Sequence, residues 1–130
     1  MFNVDISEYI VYMTILDYLI LSIDRHYNNF GALIINGRFE FCPLFDFGLG
    51  LFEHDKKYTN VSLTEALKST DFKPLGRKPD VVIKFLVSEG FGSYIHTLTE
   101  NLHIPLKELF PNELGYEWFT HAYDVIMNVR

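Results

Sequence analysis

The sequence predicts a mainly α-helical domain with one short β-hairpin. Hydrophobic residues make up 48% of the 130 positions, the run "YIVYMTILDYLILSI" (residues 9–23) is almost continuously apolar, and an Asn-Gly pair lies between two short apolar runs. This hydrophobic share is sufficient for a packed core. A chain of this length corresponds to one domain or a piece of one. We therefore expect residues 1–130 to form a single domain.

The first predicted element is a buried helix. Asp5 followed by Glu8 resembles a capping box, so the helix is expected to begin near Ser7 and to continue through the apolar run to Ile23. A membrane-spanning helix needs roughly 20 apolar residues. The run is shorter and contains Asp17, which favours a core helix over a membrane span.

The second predicted element is a β-hairpin. Residues 31–35 ("GALII") and 38–42 ("RFEFC") flank Asn36-Gly37. Both central positions of a two-residue hairpin turn favour positive φ, which Asn and Gly tolerate. Pro43 is expected to end the second strand, because it has no N–H to donate.

The rest of the chain is predicted to be mostly helical. Ser62 and Glu65 form a second capping box for a helix through about Ser69. Gly90 is expected to stop a helix within "VVIKFLVSEG", and "EGFGSY" (residues 89–94) is expected to be the turn to the next helix. Further helices are expected over residues 91–102, from Pro105 onward, and over residues 115–129.

Net charge and cysteine content bear on the expected partners and on the expected cellular compartment. The net charge of −6 argues against a nucleic-acid surface or an anionic membrane surface, which rely on clustered cations. Cys42 is a single cysteine and cannot form an internal disulfide. With no basic, cleavable leader visible, a cytoplasmic location is expected.

Other polar clusters are assigned ordinary roles. Lys73, Arg77 and Lys78 fall in a Pro/Gly-containing loop and could contact an acidic or phosphorylated partner, although solvent-exposed charge is favoured. The histidines show no spacing with Cys42 that suits a zinc site.

Three oxygen-bearing side chains flank the predicted hairpin. Asp24 and Asn29 precede its first strand, and Asp46 follows its second. Because antiparallel strands bring these positions to the same end, the side chains can converge. Two oxygen ligands beside a free carboxylate suit a Mg²⁺-nucleotide site, in which the carboxylate orients an attacking hydroxyl. The alternative is that the three are only turn and cap residues.

Two motifs carry a family resemblance. "DRHYNNFG" (residues 24–31, the first motif segment) and "PLFDFG" (residues 43–48, the second motif segment), with a hairpin between them, resemble the catalytic core of the HipA-like kinases. These are bacterial toxin-type serine/threonine kinases within the protein-kinase and phosphatidylinositol 3/4-kinase-like superfamily. Lipid kinases share the motif order but usually have a shorter hairpin. The match covers about residues 16–50.

The resemblance implies a kinase C-lobe-like helical domain whose hairpin carries the catalytic and metal-binding loops. Asp24 matches the catalytic aspartate that positions the acceptor hydroxyl. Asn29 and Asp46 match the two metal ligands, which also bind the nucleotide through the metal. The implied cofactors are Mg²⁺ and ATP, and the implied substrate is a protein hydroxyl.

The remaining motif residues are assigned supporting roles by the resemblance. His26 matches the motif histidine, which holds the loop, and Phe47 and Gly48 complete the segment that contains Asp46. Arg25 is undecided between approaching a phosphate and bracing the loop.

Half of a kinase site is not visible in the sequence. The family's glycine-rich loop and strand-borne lysine lie upstream of the catalytic loop, and here a helix precedes Asp24. The chain alone is therefore expected to be inactive. Three interpretations remain open: a fragment, a short protein whose N-lobe or antitoxin-type partner is another chain, and a degenerate relative that has kept the fold as a non-catalytic protein-interaction module. Self-association through exposed apolar surface is also expected.

A metal-dependent nuclease using Asp24, His26 and Asp46 is a less favoured alternative. The acidic composition and the absence of a second histidine near the predicted hairpin do not suit phosphodiester substrates.

Overall fold

A computed structural model describes residues 6–22, 32–41, 50–52, 61–68, 70 and 77–129. This part of the chain is mainly α-helical, as predicted. Five α-helices and one two-stranded antiparallel sheet are present in the described ranges: α1 (Ile6–Leu19), β1 (Ala32–Ile35), β2 (Arg38–Phe41), α2 (Leu63–Lys68), α3 (Val82–Ser88), α4 (Gly92–Leu98) and α5 (Glu113–Val129). Short 3₁₀ turns occur at Gly50–Phe52, Pro79–Val81 and Lys107–Leu109.

Helix α1 begins within one residue of its predicted start but ends earlier than predicted. The main-chain N–H of Ser22 donates to the carbonyl of Asp17 at 2.7 Å, and that of Leu21 donates to Tyr18 at 3.2 Å. This pair of bonds is a Schellman ending, with Leu21 in the left-handed conformation (φ 50) that glycine usually supplies. The prediction of a helix to Ile23 was therefore wrong. Among the described residues, no helix is long and apolar enough to cross a bilayer.

The hairpin lies within the predicted ranges. Ala32 pairs with Phe41 at its open end, and Ile35 pairs with Arg38 beside the turn. Asn36 (φ 52) and Gly37 (φ 75) both take the positive φ that a two-residue turn of this kind requires. The role predicted for Pro43 falls outside the described residues.

The positions of α2 and α3 were predicted from capping and glycine signals close to each helix. The N–H of Glu65 donates to the Ser62 hydroxyl at 3.2 Å, which is half of the predicted capping box. Gly90 (φ 93) ends α3, and α4 begins at Gly92, so residues 89–91 form the predicted turn between helices.

Two helix predictions were wrong beyond this point. Helix α4 ends at Leu98, and Thr99 leaves the helical conformation (φ −110, ψ 13) while its hydroxyl donates to the carbonyl of Ile95 at 2.6 Å. The helix predicted from Pro105 is only the 3₁₀ turn Lys107–Leu109. Phe110 is extended (φ −85, ψ 146) because the residue before a proline avoids the helical region, and Pro111 follows it.

Helix α5 completes the core and begins two residues before its predicted start. It packs against α1, α2, α3 and the Gly50–Phe52 turn, and α1 also packs against α3 and α4. The core contains residues from α1 and the turn after it, from the Gly50–Phe52 turn and from the four later helices: Val11, Ile15, Tyr18, Leu19, Leu21, Phe52, Ala66, Val82, Ile83, Leu86, Ile95, Trp118, Phe119, Ala122 and Ile126.

Candidate functional site

The residues predicted to carry the chemistry all fall outside the described ranges. Their assignments remain predictions from the motifs. They are the catalytic Asp24, the metal ligands Asn29 and Asp46, the supporting His26, Phe47 and Gly48, and the undecided Arg25. What the structure describes is the frame of residues that flanks both motif segments.

One side of this frame is a contact between the end of α1 and the turn after the second motif segment. The main-chain N–H of Leu51 donates to the carbonyl of Ile20 at 2.7 Å. A Cβ added to Gly50 would lie 3.0 Å from the same carbonyl oxygen, so glycine permits the close approach. Ile20 lies four positions before Asp24, and Gly50 lies four positions after Asp46.

The other side of the frame is the open end of the hairpin. Ala32 pairs with Phe41 across the two strands. Directly opposite residues in an antiparallel pair have Cα atoms about 4.5–5.5 Å apart. Ala32 lies three positions after Asn29, and Phe41 lies five positions before Asp46. The two motif segments are thus flanked by neighbouring residues at both of their ends.

Unusual backbone conformations concentrate at the first of these contacts. Four non-glycine residues in the described ranges have positive φ: Leu21 (50°), Asn36 (52°), Leu51 (55°) and Phe52 (60°). Asn36 belongs to the hairpin turn, whereas the other three lie at the two turns that meet. Such conformations cost on the order of 1–3 kcal/mol each and persist where the surroundings hold them. Burial of Leu21 and Phe52 supplies part of that constraint.

The residue before α5 holds the same turn. The Asn112 side-chain amide donates from Nδ2 to the carbonyl of Leu51 at 2.9 Å. Its Oδ1 accepts the N–H of Gly115 at 2.6 Å, which makes Asn112 the N-cap of α5. A Cβ on Gly115 would lie 3.0 Å from the Leu51 Cβ. We call the hydrogen-bonded set Ile20, Leu51 and Asn112 the Leu51 junction.

A second contact joins α1 to α5, two residues before Ile20. The indole Nε1 of Trp118 donates to the main-chain carbonyl of Tyr18 at 2.8 Å, and both residues are completely buried. Their rings meet edge to face, with centroids 5.1 Å apart. The Tyr18 hydroxyl is buried and has no hydrogen-bond partner in the described part of the chain. Burial raises the pKa of Tyr18, and the negative charge of Asp80 raises it further.

The cationic loop has structural contacts. The Arg77 guanidinium lies 4.4 Å from the centroid of the Phe85 ring. The Lys78 ammonium donates to the carbonyl of Lys68 at 2.9 Å, at the end of α2, where a cation is favourable. Arg77 and Lys78 are both exposed, in agreement with the prediction of solvent-exposed charge, and Lys73 falls outside the described residues.

No group of three or more His, Cys, Asp or Glu residues within the described ranges could hold a metal ion. The predicted ligands Asn29 and Asp46 lie outside the described ranges.

Neither Leu51 nor Asn112 was among the residues predicted from the sequence. Asn112 had a usable signal, since an N-cap residue directly before an acidic first turn marks a helix start. Leu51 had none, because its bond to Asn112 spans 61 positions and leaves no local pattern.

Comparison with protein-family models, with curated proteins and with solved structures found no match to this chain. The functional conclusion therefore depends on the motifs and on the geometry of the residues that flank them.

Proposed function

We propose that the chain is the catalytic C-terminal lobe of a HipA-like kinase that uses ATP and Mg²⁺ to phosphorylate a serine or threonine of a protein. It acts in combination with a nucleotide-binding N-terminal lobe. Asp24 positions the acceptor hydroxyl, and Asn29 and Asp46 are the metal ligands. The observation that carries the proposal is the hydrogen bond from Leu51 to Ile20, which joins the residues flanking the two motif segments.

This hydrogen bond matters because the proposed chemistry requires residues distant in sequence to meet. Asp24 and Asp46 can cooperate only if the two motif segments run side by side. The Leu51–Ile20 bond and the Ala32–Phe41 strand pair both bring flanking residues of one segment next to flanking residues of the other. If the motif residues were only turn and cap residues, contacts between the residues that flank the two segments would not be needed.

The donor set suits the proposed cation. Asn29 and Asp46 offer an amide oxygen and a carboxylate, and Mg²⁺ prefers hard oxygen ligands while retaining positions for water and phosphate. Bound Mg²⁺ neutralises charge on the phosphates. The chain's own contribution is orientation: Asp24 accepts a hydrogen bond from the substrate hydroxyl, and His26 holds the loop that contains it.

The test is phosphoryl transfer by the complete two-lobe enzyme carrying Asp24→Asn or Asp46→Asn. Both changes remove a charge with little change in volume, and each is expected to lower the rate at least about 100-fold. Asp124→Asn is the matched control, since it makes the same chemical change at an exposed position of α5. Its rate is expected to equal that of the parent enzyme.

Two results would contradict the proposal. Undiminished transfer by the Asp46→Asn enzyme would remove the metal-ligand assignment. A parent enzyme that binds a protein partner but transfers no phosphate would favour the alternative of a non-catalytic interaction module. Calorimetric titration of the chain alone with Mg²⁺-ATP determines separately whether this lobe binds nucleotide without an N-terminal lobe.

A further inference from the structure

Two large apolar side chains are exposed on one turn before α5. Leu109 is 74% exposed and Leu106 is 71% exposed, the highest values among the large hydrophobic residues of the described ranges. The N–H of Leu109 donates to the carbonyl of Leu106 at 2.9 Å, so the two residues begin and end one hydrogen-bonded turn. Single exposed leucines are ordinary, whereas two at neighbouring positions form an apolar patch. We call these two residues the leucine pair.

Contacts on either side of the leucine pair fix this turn to the rest of the protein. Phe110 packs against the core, and its ring meets those of Tyr116 and Phe119 edge to face, with centroids 5.3 and 5.5 Å apart. The Lys107 ammonium donates to the Glu113 carboxylate at 3.0 Å. The leucine pair is therefore presented to solvent on a turn whose position is set by its neighbours. A patch that is fixed in advance loses little conformational entropy when a partner docks on it.

The surface beside the leucine pair is predominantly acidic. Glu108 lies within the turn, and Glu113 and Glu117 lie one helical turn apart on α5; all three are exposed. The hydrogen bond from Lys107 to Glu113 raises the pKa of Lys107, and the negative charges of Glu113 and Glu117 raise it further. Three carboxylates and one ammonium leave a net negative charge here. The whole chain carries −6, so a second copy would bring like charge to this surface.

We propose that the leucine pair and the acidic residues beside it form a docking site for a segment of a partner protein that combines apolar side chains with lysine or arginine. The apolar side chains of that segment cover the leucine pair, and its cations face Glu108, Glu113 and Glu117. An amphipathic helix supplies apolar side chains at three- and four-residue spacing, which suits two leucines three positions apart. The site uses none of the residues assigned to phosphoryl transfer and does not depend on that assignment.

The probe is a fluorescently labelled, helix-forming peptide in which leucine recurs every three or four positions and the charged positions are lysine. A comparison peptide has glutamate in place of each lysine. Fluorescence anisotropy with the complete chain measures both dissociation constants at low and at high salt. The lysine peptide is expected to bind at least about tenfold more tightly than the glutamate peptide at low salt, and the difference is expected to shrink as salt is added.

Two variants test the two parts of the site. In Leu106→Ser/Leu109→Ser, the dissociation constant for the lysine peptide is expected to rise at least about tenfold, because the apolar area that the complex buries is lost. Leu109→Ser alone replaces the double variant if circular dichroism shows that the latter does not fold. Glu108→Gln/Glu117→Gln is expected to weaken binding and to reduce its salt dependence. Ile34→Ser is the matched control, since Ile34 is 69% exposed but lies on β1, and its binding is expected to equal that of the parent.

The proposal is overturned if the parent chain does not bind the lysine peptide, if both peptides bind equally, or if the leucine variants bind like the parent. An equal loss of binding in Ile34→Ser would also overturn it, because binding would then reflect exposed apolar surface in general. Sedimentation equilibrium tests the other occupant. A dimeric parent and a monomeric double leucine variant would mean that a second copy covers the leucine pair, whereas a monomeric parent agrees with the proposal.

Discussion

Substitution of Tyr18 by phenylalanine tests the cost of a buried hydroxyl in the core. The side chain is completely buried, and its hydroxyl has no hydrogen-bond partner among the described residues. Phenylalanine retains the ring that meets Trp118 edge to face, and it leaves the main-chain carbonyl that accepts the indole N–H unchanged. The substitution therefore removes the buried hydroxyl and little else.

The size of the effect follows from two opposing terms. Burial of a hydroxyl without a hydrogen bond costs about 1–3 kcal/mol in mutational data, and this cost disappears in Tyr18→Phe. The void left by one oxygen atom costs less than about 1 kcal/mol, the penalty for a void of methyl size. We expect the free energy of unfolding to stay the same or to rise by up to about 3 kcal/mol.

The raised pKa of Tyr18 adds a dependence on pH. The unfolded chain releases this phenolic proton near pH 10, its ordinary pKa, whereas the folded chain retains it to higher pH. Above about pH 10 the folded state binds more protons than the unfolded state, so stability falls as the pH rises, by up to about 1.4 kcal/mol per pH unit. Phenylalanine lacks this component, and the advantage of the variant should grow above about pH 10.

Urea unfolding followed by far-ultraviolet circular dichroism, at neutral and alkaline pH, measures both effects. Tyr12→Phe is the matched control, because Tyr12 is 46% exposed and its substitution should change stability by less than about 0.5 kcal/mol. Destabilisation of Tyr18→Phe by more than about 1 kcal/mol would mean that the hydroxyl has a partner, which refutes the reasoning. Parallel pH profiles for Tyr18→Phe and the parent would refute the raised pKa.

Three further substitutions test the contacts between α1, α5 and the turn at Leu51, each by thermal and urea unfolding. Trp118→Phe removes the indole hydrogen bond and leaves a void, so it should destabilise by about 2–4 kcal/mol; a loss below about 1 kcal/mol contradicts this. Gly115→Ala gains up to about 1 kcal/mol of helix propensity but places a Cβ 3.0 Å from that of Leu51. It should be destabilising by about 1–2 kcal/mol, whereas a stabilised variant would show that the Gly50–Phe52 turn shifts to accommodate the added methyl group. Leu21→Gly relieves about 1–2 kcal/mol of backbone strain but loses a buried side chain worth about 2–5 kcal/mol, so net destabilisation is expected. A net gain in stability would mean that the backbone strain outweighs the burial of the side chain.

The elements that were predicted correctly are those that a few neighbouring residues determine. Asn36-Gly37 and Gly90 take the positive φ that their residue types favour, and Ser62 caps α2 as its spacing with Glu65 indicates. The end of α1 was missed because Leu21 takes the conformation normally given to glycine. Burial of its side chain and the packing around it override the intrinsic preference of leucine, and neither is visible in the residues nearby.

The frame of the candidate site was predictable only in part. Antiparallel pairing of the hairpin follows from the Asn-Gly turn, so the nearness of Ala32 and Phe41 could be inferred from the sequence. The bonds from Leu51 to Ile20 and from Asn112 to Leu51 could not, since they depend on how helices pack after the chain has folded. The motif residues themselves remain predictions from their order and spacing.

The bond from Trp118 to Tyr18 joins residues 100 positions apart, and this separation has a consequence during protein synthesis. At about 5–20 residues per second, roughly 5–20 s pass between the addition of Tyr18 and that of Trp118 to the growing chain. In that interval the apolar side chains of α1 lack the partner helix that covers them. Final packing of the core therefore waits until α5 has been synthesised, and until then the apolar side chains of α1 are available to a chaperone.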